Sequence, residues 1–139
     1  MKIAVTVMDP RLESQVEARF GRAPYYLIVD LETMAWEALE NPNAMAGGGA
    51  GIQSAQFMAD HGVACVLTGN CGPNAFRVFG AAGIDIVTGV SGPADKAIAA
   101  FQRGELTPAG KPTVASHFGM GGGMGGGMGG GMGGGMGGG

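Results

Sequence analysis

The sequence predicts an α/β protein: a mixed sheet of about five strands with helices on its faces. Three observations carry that expectation. Residues 63–68 (VACVLT) form an unbroken apolar run bounded by Gly62 and Gly69, as in a strand covered on both sides. From residue 52 to residue 101, helix-patterned and β-branched runs alternate with short links, the pattern of parallel strands joined by right-handed crossovers. The first forty residues hold further β-rich runs with little helix between them, which points to an added strand and a hairpin.

Residues 3–8 (IAVTVM) are apolar and β-branched, and Asp9-Pro10 ends them, so they read as the first strand. In residues 11–21, Ser14 is expected to cap a short helical turn carrying Val16 and Phe20, stopped by Gly21. Residues 25–31 (YYLIVDL) read as a strand. Residues 34–40 favour helix by propensity, but their place after Glu32-Thr33 makes them the return strand of a hairpin, and position is taken over propensity. Pro42 and the glycines of 41–51 exclude regular structure there. A helix follows over 52–61 and stops at Gly62. Pro73 suits the first position of a second helix over 73–82, ended by Gly83. Residues 84–88 are a strand, and Pro93 opens a last helix that runs through Phe101.

The domain is expected over 1–104, with a Pro-containing linker over 105–118. Over 119–139 only Gly and Met occur, and Met120, Met124, Met128, Met132 and Met136 fall four apart. Ordering a chain that is three-quarters Gly costs too much backbone entropy, so this tail is expected to be disordered. About 115 residues then remain for the fold, enough for one core.

Net charge is −3 and the eight Lys and Arg are scattered, which gives nucleic-acid binding no electrostatic footing. No apolar run nears the ~20 residues that span a bilayer. The first strand is too short for a signal-peptide core, so a cytoplasmic protein is expected. In a reducing compartment a Cys65–Cys71 disulfide is not expected to persist.

The segment 67–74 (LTGNCGPN) is the most informative for chemistry. It lies where a buried parallel strand ends and a helix begins, the place where open α/β sheets bind ligands. Amides at that helix start favour an anion, and the helix dipole should favour the Cys71 thiolate. Cys71 reads as a soft-metal or cluster ligand, or as an ordinary turn cysteine. Asn70, Gly72 and Asn74 complete the loop. Cys65, inside the apolar strand, reads as a small core residue. The six-residue spacing rules out a four-cysteine site within one chain and leaves a site shared across a dimer open. Asn43, Gly48, Gly49 and Gly51 belong to a second amide-rich loop before a helix, which lacks a Walker lysine. Arg22 reads as a partner for an anion or as a solvated arginine. His61, at a helix C-terminus, reads as a cap. His117 with Met120 and Met124 could join a soft-metal site, since thioethers select Cu(I); the plain reading is low-complexity sequence. No Ser–His–Asp order and no H-E-x-x-H motif is present, and the chain is not expected to be an enzyme.

Two separated segments carry a family resemblance. Phe20-Gly21-Arg22-Ala23-Pro24-Tyr25-Tyr26 followed by LIVD, and Thr68-Gly69-Asn70-Cys71-Gly72-Pro73-Asn74-Ala75-Phe76 with Ala82-Gly83-Ile84, resemble the two motifs of the dinitrogenase iron–molybdenum cofactor biosynthesis family, in its order and spacing. The resemblance covers residues 1–104. It implies a ribonuclease H-like αβα sandwich without nuclease carboxylates. It also implies a protein that binds or carries nitrogenase cofactor, its precursors, or, in small stand-alone members, a molybdenum–copper sulfide cluster. The ligand is then expected among loops 20–24, 41–51 and 69–74.

The expected function is thus non-catalytic: a carrier, scaffold or store for a molybdenum-, iron- or copper-containing metal–sulfur cluster, of molybdenum–copper sulfide, iron–sulfur or iron–molybdenum cofactor type. Cluster-donor or acceptor proteins are the expected partners, and the protein is a monomer or homodimer. The alternative is a regulatory or protein-interaction module of the same fold with no metal role.

Overall fold

A computed structural model describes residues 1–44 and 50–109. The chain forms β1 (Lys2–Val7), β2 (Tyr25–Asp30), β3 (Trp36–Glu40), α1 (Ala50–Asp60), β4 (Cys65–Leu67), α2 (Pro73–Ala82), β5 (Asp85–Val87) and α3 (Ala94–Gln102). The five strands make one sheet in the order β3-β2-β1-β4-β5. The β1–β2 and β2–β3 pairs are antiparallel, and the β1–β4 and β4–β5 pairs are parallel. This is the mixed five-stranded α/β sheet expected from the sequence, in the ribonuclease H-like arrangement that the resemblance implied. Within the expected return strand 34–40, Trp36–Glu40 form the strand, as their position required, with Trp36 opposite Val29 and Glu40 opposite Tyr25, while Met34 at φ +63 and Ala35 lie before it.

Alternation along the strands divides the core in two. Ala4, Tyr26, Ile28, Val66 and Ile86 face α1 and α2, where they meet Ala55, Met58 and Phe79. Ile3, Val5, Leu27, Cys65, Leu67 and Val87 face the other way, against Ala94, Ala97 and Ile98 of α3. Side chains one residue apart thus serve opposite cores. The helix stops fall where glycine permits them: Gly62 at φ +71 and Gly83 at φ +73, whose amide bonds back into the last turn of α2.

The expected helical turn in 11–21 is not formed. Val16 instead bridges to Val7, and Gln15 to Pro93. Ser14 caps no turn of its own. It is buried, and its hydroxyl accepts the Asp9 amide at 2.9 Å. Its carbonyl accepts the Ala94 amide at 2.8 Å while the Leu12 carbonyl accepts Asp95 at 2.8 Å, so this segment caps α3 from outside. A loop that supplies carbonyls to a neighbouring helix cannot also close its own helical bonds, which is why its local propensity lost.

Beyond α3, the chain returns to the open edge of β5 at Ala109. Leu106 packs on the α3 side, Ala109 packs on the α1/α2 side, and the Ala109 amide donates to the Ile86 carbonyl at 2.7 Å. The chain itself thereby meets that edge at Ile86. The expected disorder of 119–139 falls outside the described residues.

Candidate anion cradle at the carboxyl rim of the sheet

The register places one rim. Val7 at the end of β1 pairs with Tyr25 at the start of β2, which pairs with Glu40 at the end of β3. Leu67 and Val87, the ends of β4 and β5, pair with each other. The segments that follow β1, β3, β4 and β5 therefore leave from the same side of the sheet, where ligands of open α/β sheets bind.

Hydrogen bonds tie three of these segments together. The Asn70 amide donates to the Ala18 carbonyl at 2.6 Å, and the Phe20 amide to the Asn70 carbonyl at 3.3 Å. The buried Asn41 side chain gives its amide to the carbonyls of Gly21, at 3.2 Å, and Ala23, at 2.8 Å. Its side-chain oxygen accepts the Asn43 amide at 2.9 Å. Arg22 is exposed, and its guanidinium reaches the Ala44 carbonyl at 3.4 Å. The described parts of loops 20–24, 41–51 and 69–74 thus share one rim.

Two helix starts meet at this rim. Gly51, in the first turn of α1, lies so close to α2 that a Cβ built on it would stand 3.4 Å from the Ala75 Cβ and 3.9 Å from the Ala75 nitrogen. α2 begins behind Gly72, an extended residue with no side-chain cap, with Pro73 at its first position. Pro73 has no amide hydrogen, so the first-turn donors are those of Asn74 and Ala75, and a helix offers these no internal acceptor. The start of α3 differs, because the carbonyls of Leu12 and Ser14 already occupy its first amides. The partial positive charges of α1 and α2 add at their shared end.

Below the rim lies a polar tie. Thr6 Oγ1 donates to the Glu17 carbonyl at 2.7 Å and lies 2.8 Å from Thr68 Oγ1. Its single proton is spent on Glu17, so the Thr68 hydroxyl is the donor to Thr6. The Tyr26 hydroxyl donates to the Phe20 carbonyl at 2.9 Å, and burial pushes this phenol well above its ordinary range. The buried Ser54 hydroxyl opposes that shift from nearby, yet lacks hydrogen-bond geometry to any described group.

Asn70, Cys71, Gly72 and Asn74 fall together with Arg22, Asn43 and Gly51 at the rim. Asn74 is exposed, and its side-chain oxygen accepts Arg77 at 3.3 Å. Gly48 and Gly49, and His117, Met120 and Met124, lie outside the described residues. Cys71 overturns one expectation. Its side chain is 1% exposed and packs in the α1/α2 core, and burial pushes its thiol up to about 12. Desolvation disfavours the charged form, the thiolate. Cys65 is likewise pushed up to about 12, first by burial and then by Asp85, its register partner. The two cysteines face opposite sides of the sheet and share no disulfide. His61 accords with its reading as a cap, with Nδ1 2.8 Å from the Phe57 carbonyl.

Asn41 and the close approach of Gly69 to the Ala18 backbone, where a Cβ on Gly69 would lie 2.7 Å from the Ala18 Cα, were not singled out in the sequence. Asn41-Pro42, opening a glycine loop straight after a strand, was the available signal for the first. Among the described residues no three His, Cys, Asp or Glu side chains gather as a metal-ion site. What the rim offers is hydrogen-bond donation and positive charge. Among the described residues no helix is long and apolar enough to cross a membrane.

Comparison with known proteins agrees with the two motifs. The apo form of the orange protein from Desulfovibrio gigas is 37% identical and superposes with a TM-score of 0.79, covering 81% of this chain and 96% of that one. A Thermotoga protein solved by NMR and described as a NifB candidate is 34% identical with a TM-score of 0.68, covering 77% of this chain and 91% of that one. A protein of Methanocaldococcus jannaschii is 33% identical over 109 residues, which is 76% of this chain and 89% of that one. The family model described as dinitrogenase iron-molybdenum cofactor matches residues 1–104, and the chain belongs to that family.

Proposed function

We propose that this protein is a non-catalytic binder of a preformed, negatively charged metal–sulfur cluster or cofactor containing molybdenum, iron or copper, which it carries or stores at the rim described above. The observation that carries this reading is the meeting of Gly51 and Ala75, which sets the amide-bearing starts of α1 and α2 side by side. Exposed Arg22, whose guanidinium reaches the Ala44 carbonyl, adds a cation to the same rim. Such a site recognises charge and shape from outside the cluster, through N–H donors, as helix starts recognise phosphate.

Cys71 has a conditional role in this reading. Its thiol is protonated and buried at neutral pH, so direct ligation requires the 69–72 loop to turn the sulfur outward and the thiol to lose its proton. The amides of Gly72, Asn74 and Ala75 require neither step. They form the first contact, and Cys71 ligation follows only if the loop rearranges. Cluster-donor and acceptor proteins are the partners this role implies. Two reduced, buried thiols suit a reducing compartment.

The test is reconstitution without oxygen. The full chain is mixed with tetrathiomolybdate and Cu(I), or in parallel with an iron–sulfur cluster source, then desalted and examined by visible spectroscopy and metal analysis. A coloured protein with a fixed metal-to-protein ratio supports the reading. Colourless, metal-free protein in every arm contradicts it.

A further inference from the structure

The two edges of the sheet are treated differently. The β5 edge receives the Ala109 amide at Ile86. β3 forms the other edge, and among the described residues no backbone group bonds to its outer side. Two bonds fix which groups point outward. The Asp30 amide donates to the Ala35 carbonyl at 2.9 Å, and the Asn41 amide to the Pro24 carbonyl at 3.0 Å, one at each end of β3. Antiparallel pairs alternate, so Glu37 and Leu39, between those ends, also turn their backbone groups to β2. The N–H and C=O groups of Trp36, Ala38 and Glu40 therefore face outward, a row that another extended chain can pair with.

The side chains on this edge say what kind of chain that is. The hairpin from Tyr25 to Glu40 carries Asp30, Glu32, Glu37 and Glu40, and the sequence has no Lys or Arg from Ala23 to Phe76. Asp30 lies opposite Lys2 in the register, and Glu32 pairs with the amino terminus at 3.1 Å. Exposed Glu37 and Glu40 have no ion-pair partner among the described residues. Alternation puts one on each face of the strand, with Glu37 beside the α1/α2 core and Glu40 on the α3 side. Trp36 stands 43% exposed on the α3 side, and Met34, in the turn before it, is 48% exposed at φ +63, where glycine or asparagine would sit without strain. Strained, exposed apolar residues beside an open edge suit a contact surface. A second copy does not fit it, because pairing β3 with β3 would bring four carboxylates together.

We propose that β3 is a docking edge for an extended segment of a partner protein that carries two Lys or Arg side chains three residues apart. The segment joins the sheet beside β3 and bonds to the outward groups of Trp36, Ala38 and Glu40. Its cations stand opposite Glu37 and Glu40, and the Trp36 ring packs on an apolar side chain or an aliphatic Lys or Arg stem. Glu40 ends β3 at the rim, so one end of the docked segment lies there. That this brings a cluster donor or acceptor to the cradle rests on the function proposed above; the docking itself does not.

The experiment titrates the full chain, without metal, with the synthetic peptide acetyl-TVKVTKVT-amide and with its glutamate counterpart acetyl-TVEVTEVT-amide. Trp36 is the chain's single tryptophan, so its fluorescence reads this edge alone. The lysine peptide is expected to change that fluorescence, to shift the amides of Trp36, Ala38 and Glu40 in NMR spectra, and to slow their hydrogen exchange. The glutamate peptide is expected to do none of these. Glu37→Gln combined with Glu40→Gln should bind the lysine peptide about tenfold more weakly. Ala38→Pro should abolish docking and keep the rest of the spectrum, since the Ala38 N–H makes no bond to β2. Equal binding of the two peptides, no binding of the lysine peptide, or shifts only away from β3 would overturn the proposal. Slow exchange at Trp36, Ala38 and Glu40 in the free chain would also overturn it, because the chain's own tail or a second copy would then already hold the edge. No arm contains a cluster, so these outcomes leave the reading of the rim to its own reconstitution assay.

Discussion

Gly69 rests directly on the backbone of Ala18: a Cβ added to Gly69 would lie 2.7 Å from the Ala18 Cα and 2.9 Å from its carbonyl oxygen. Atoms of the backbone cannot swing aside as a flexible side chain can, so this approach admits only glycine. It is also where the loop after β4 meets the loop after β1, beside the hydrogen bond from the Asn70 amide to Ala18. Gly69→Ala is expected to cost about 2 kcal/mol and to loosen the rim, as overpacked sites do. Gly80→Ala is the control with the opposite sign. Nothing lies within 4 Å of a Cβ there, and alanine inside α2 should add about 0.5–1 kcal/mol. Urea denaturation of both variants checks the pair.

Asn41→Ala removes the donors to Gly21 and Ala23 and the acceptor for Asn43 at once. Buried carbonyls left without partners make this an expected loss of about 2 kcal/mol. Because the same side chain joins the 20–24 and 41–44 loops, the variant should also weaken cluster uptake. Thermal unfolding and the reconstitution assay, run on the same sample, read the two effects.

The buried thiols should be inert. With Cys65 and Cys71 both pushed up to about 12, alkylation by iodoacetamide at pH 8 is expected to be slow in the native chain and fast in urea. A thiol whose folded value is raised supports the fold fully below its unfolded value. That support is lost as pH climbs from the unfolded value towards the folded one. Stability should therefore fall above about pH 9. Mass spectrometry after timed alkylation, and urea midpoints across the alkaline range, measure both effects.

Glu17 sets the acid side. Burial alone would raise its carboxyl. The hydrogen bond and charge of Arg19, with the Arg19 and Ala18 amides, outweigh burial and hold the carboxyl below its ordinary value. A lowered folded value gives stability present above the unfolded value and lost as pH falls through the folded one. Wild type should thus lose stability below about pH 4.5, and Glu17→Gln should lose less of it over the same range. Acid titrations of the two proteins followed by circular dichroism test this.

Much of the fold was legible because its signals are local. The apolar run 63–68, Pro73 at a helix start and Gly83 at its stop each specify their own element. The β3 hairpin was legible only from position, since MAWEALE has the composition of a helix. Residues 11–21 misled because their partners are distant: Ser14 bonds to α3, and Glu17 to Thr6, through contacts that no local pattern encodes. The rim's loops were picked out by their glycines and by Cys71. The sequence carried no sign that Cys71 turns inward, because whether a loop cysteine faces solvent or core depends on Phe20, Ala23 and Ala75 packing around it.

The most direct measurement of the cradle is an amide NMR titration of the full chain with tetrathiomolybdate plus Cu(I), without oxygen. The largest shifts are expected at Gly51, Gly72, Asn74 and Ala75 and over 20–24, with saturation at one cluster per chain. Shifts confined to the opposite end of the sheet, around Asp30–Trp36 and Gln102, or no shifts at all, would contradict it.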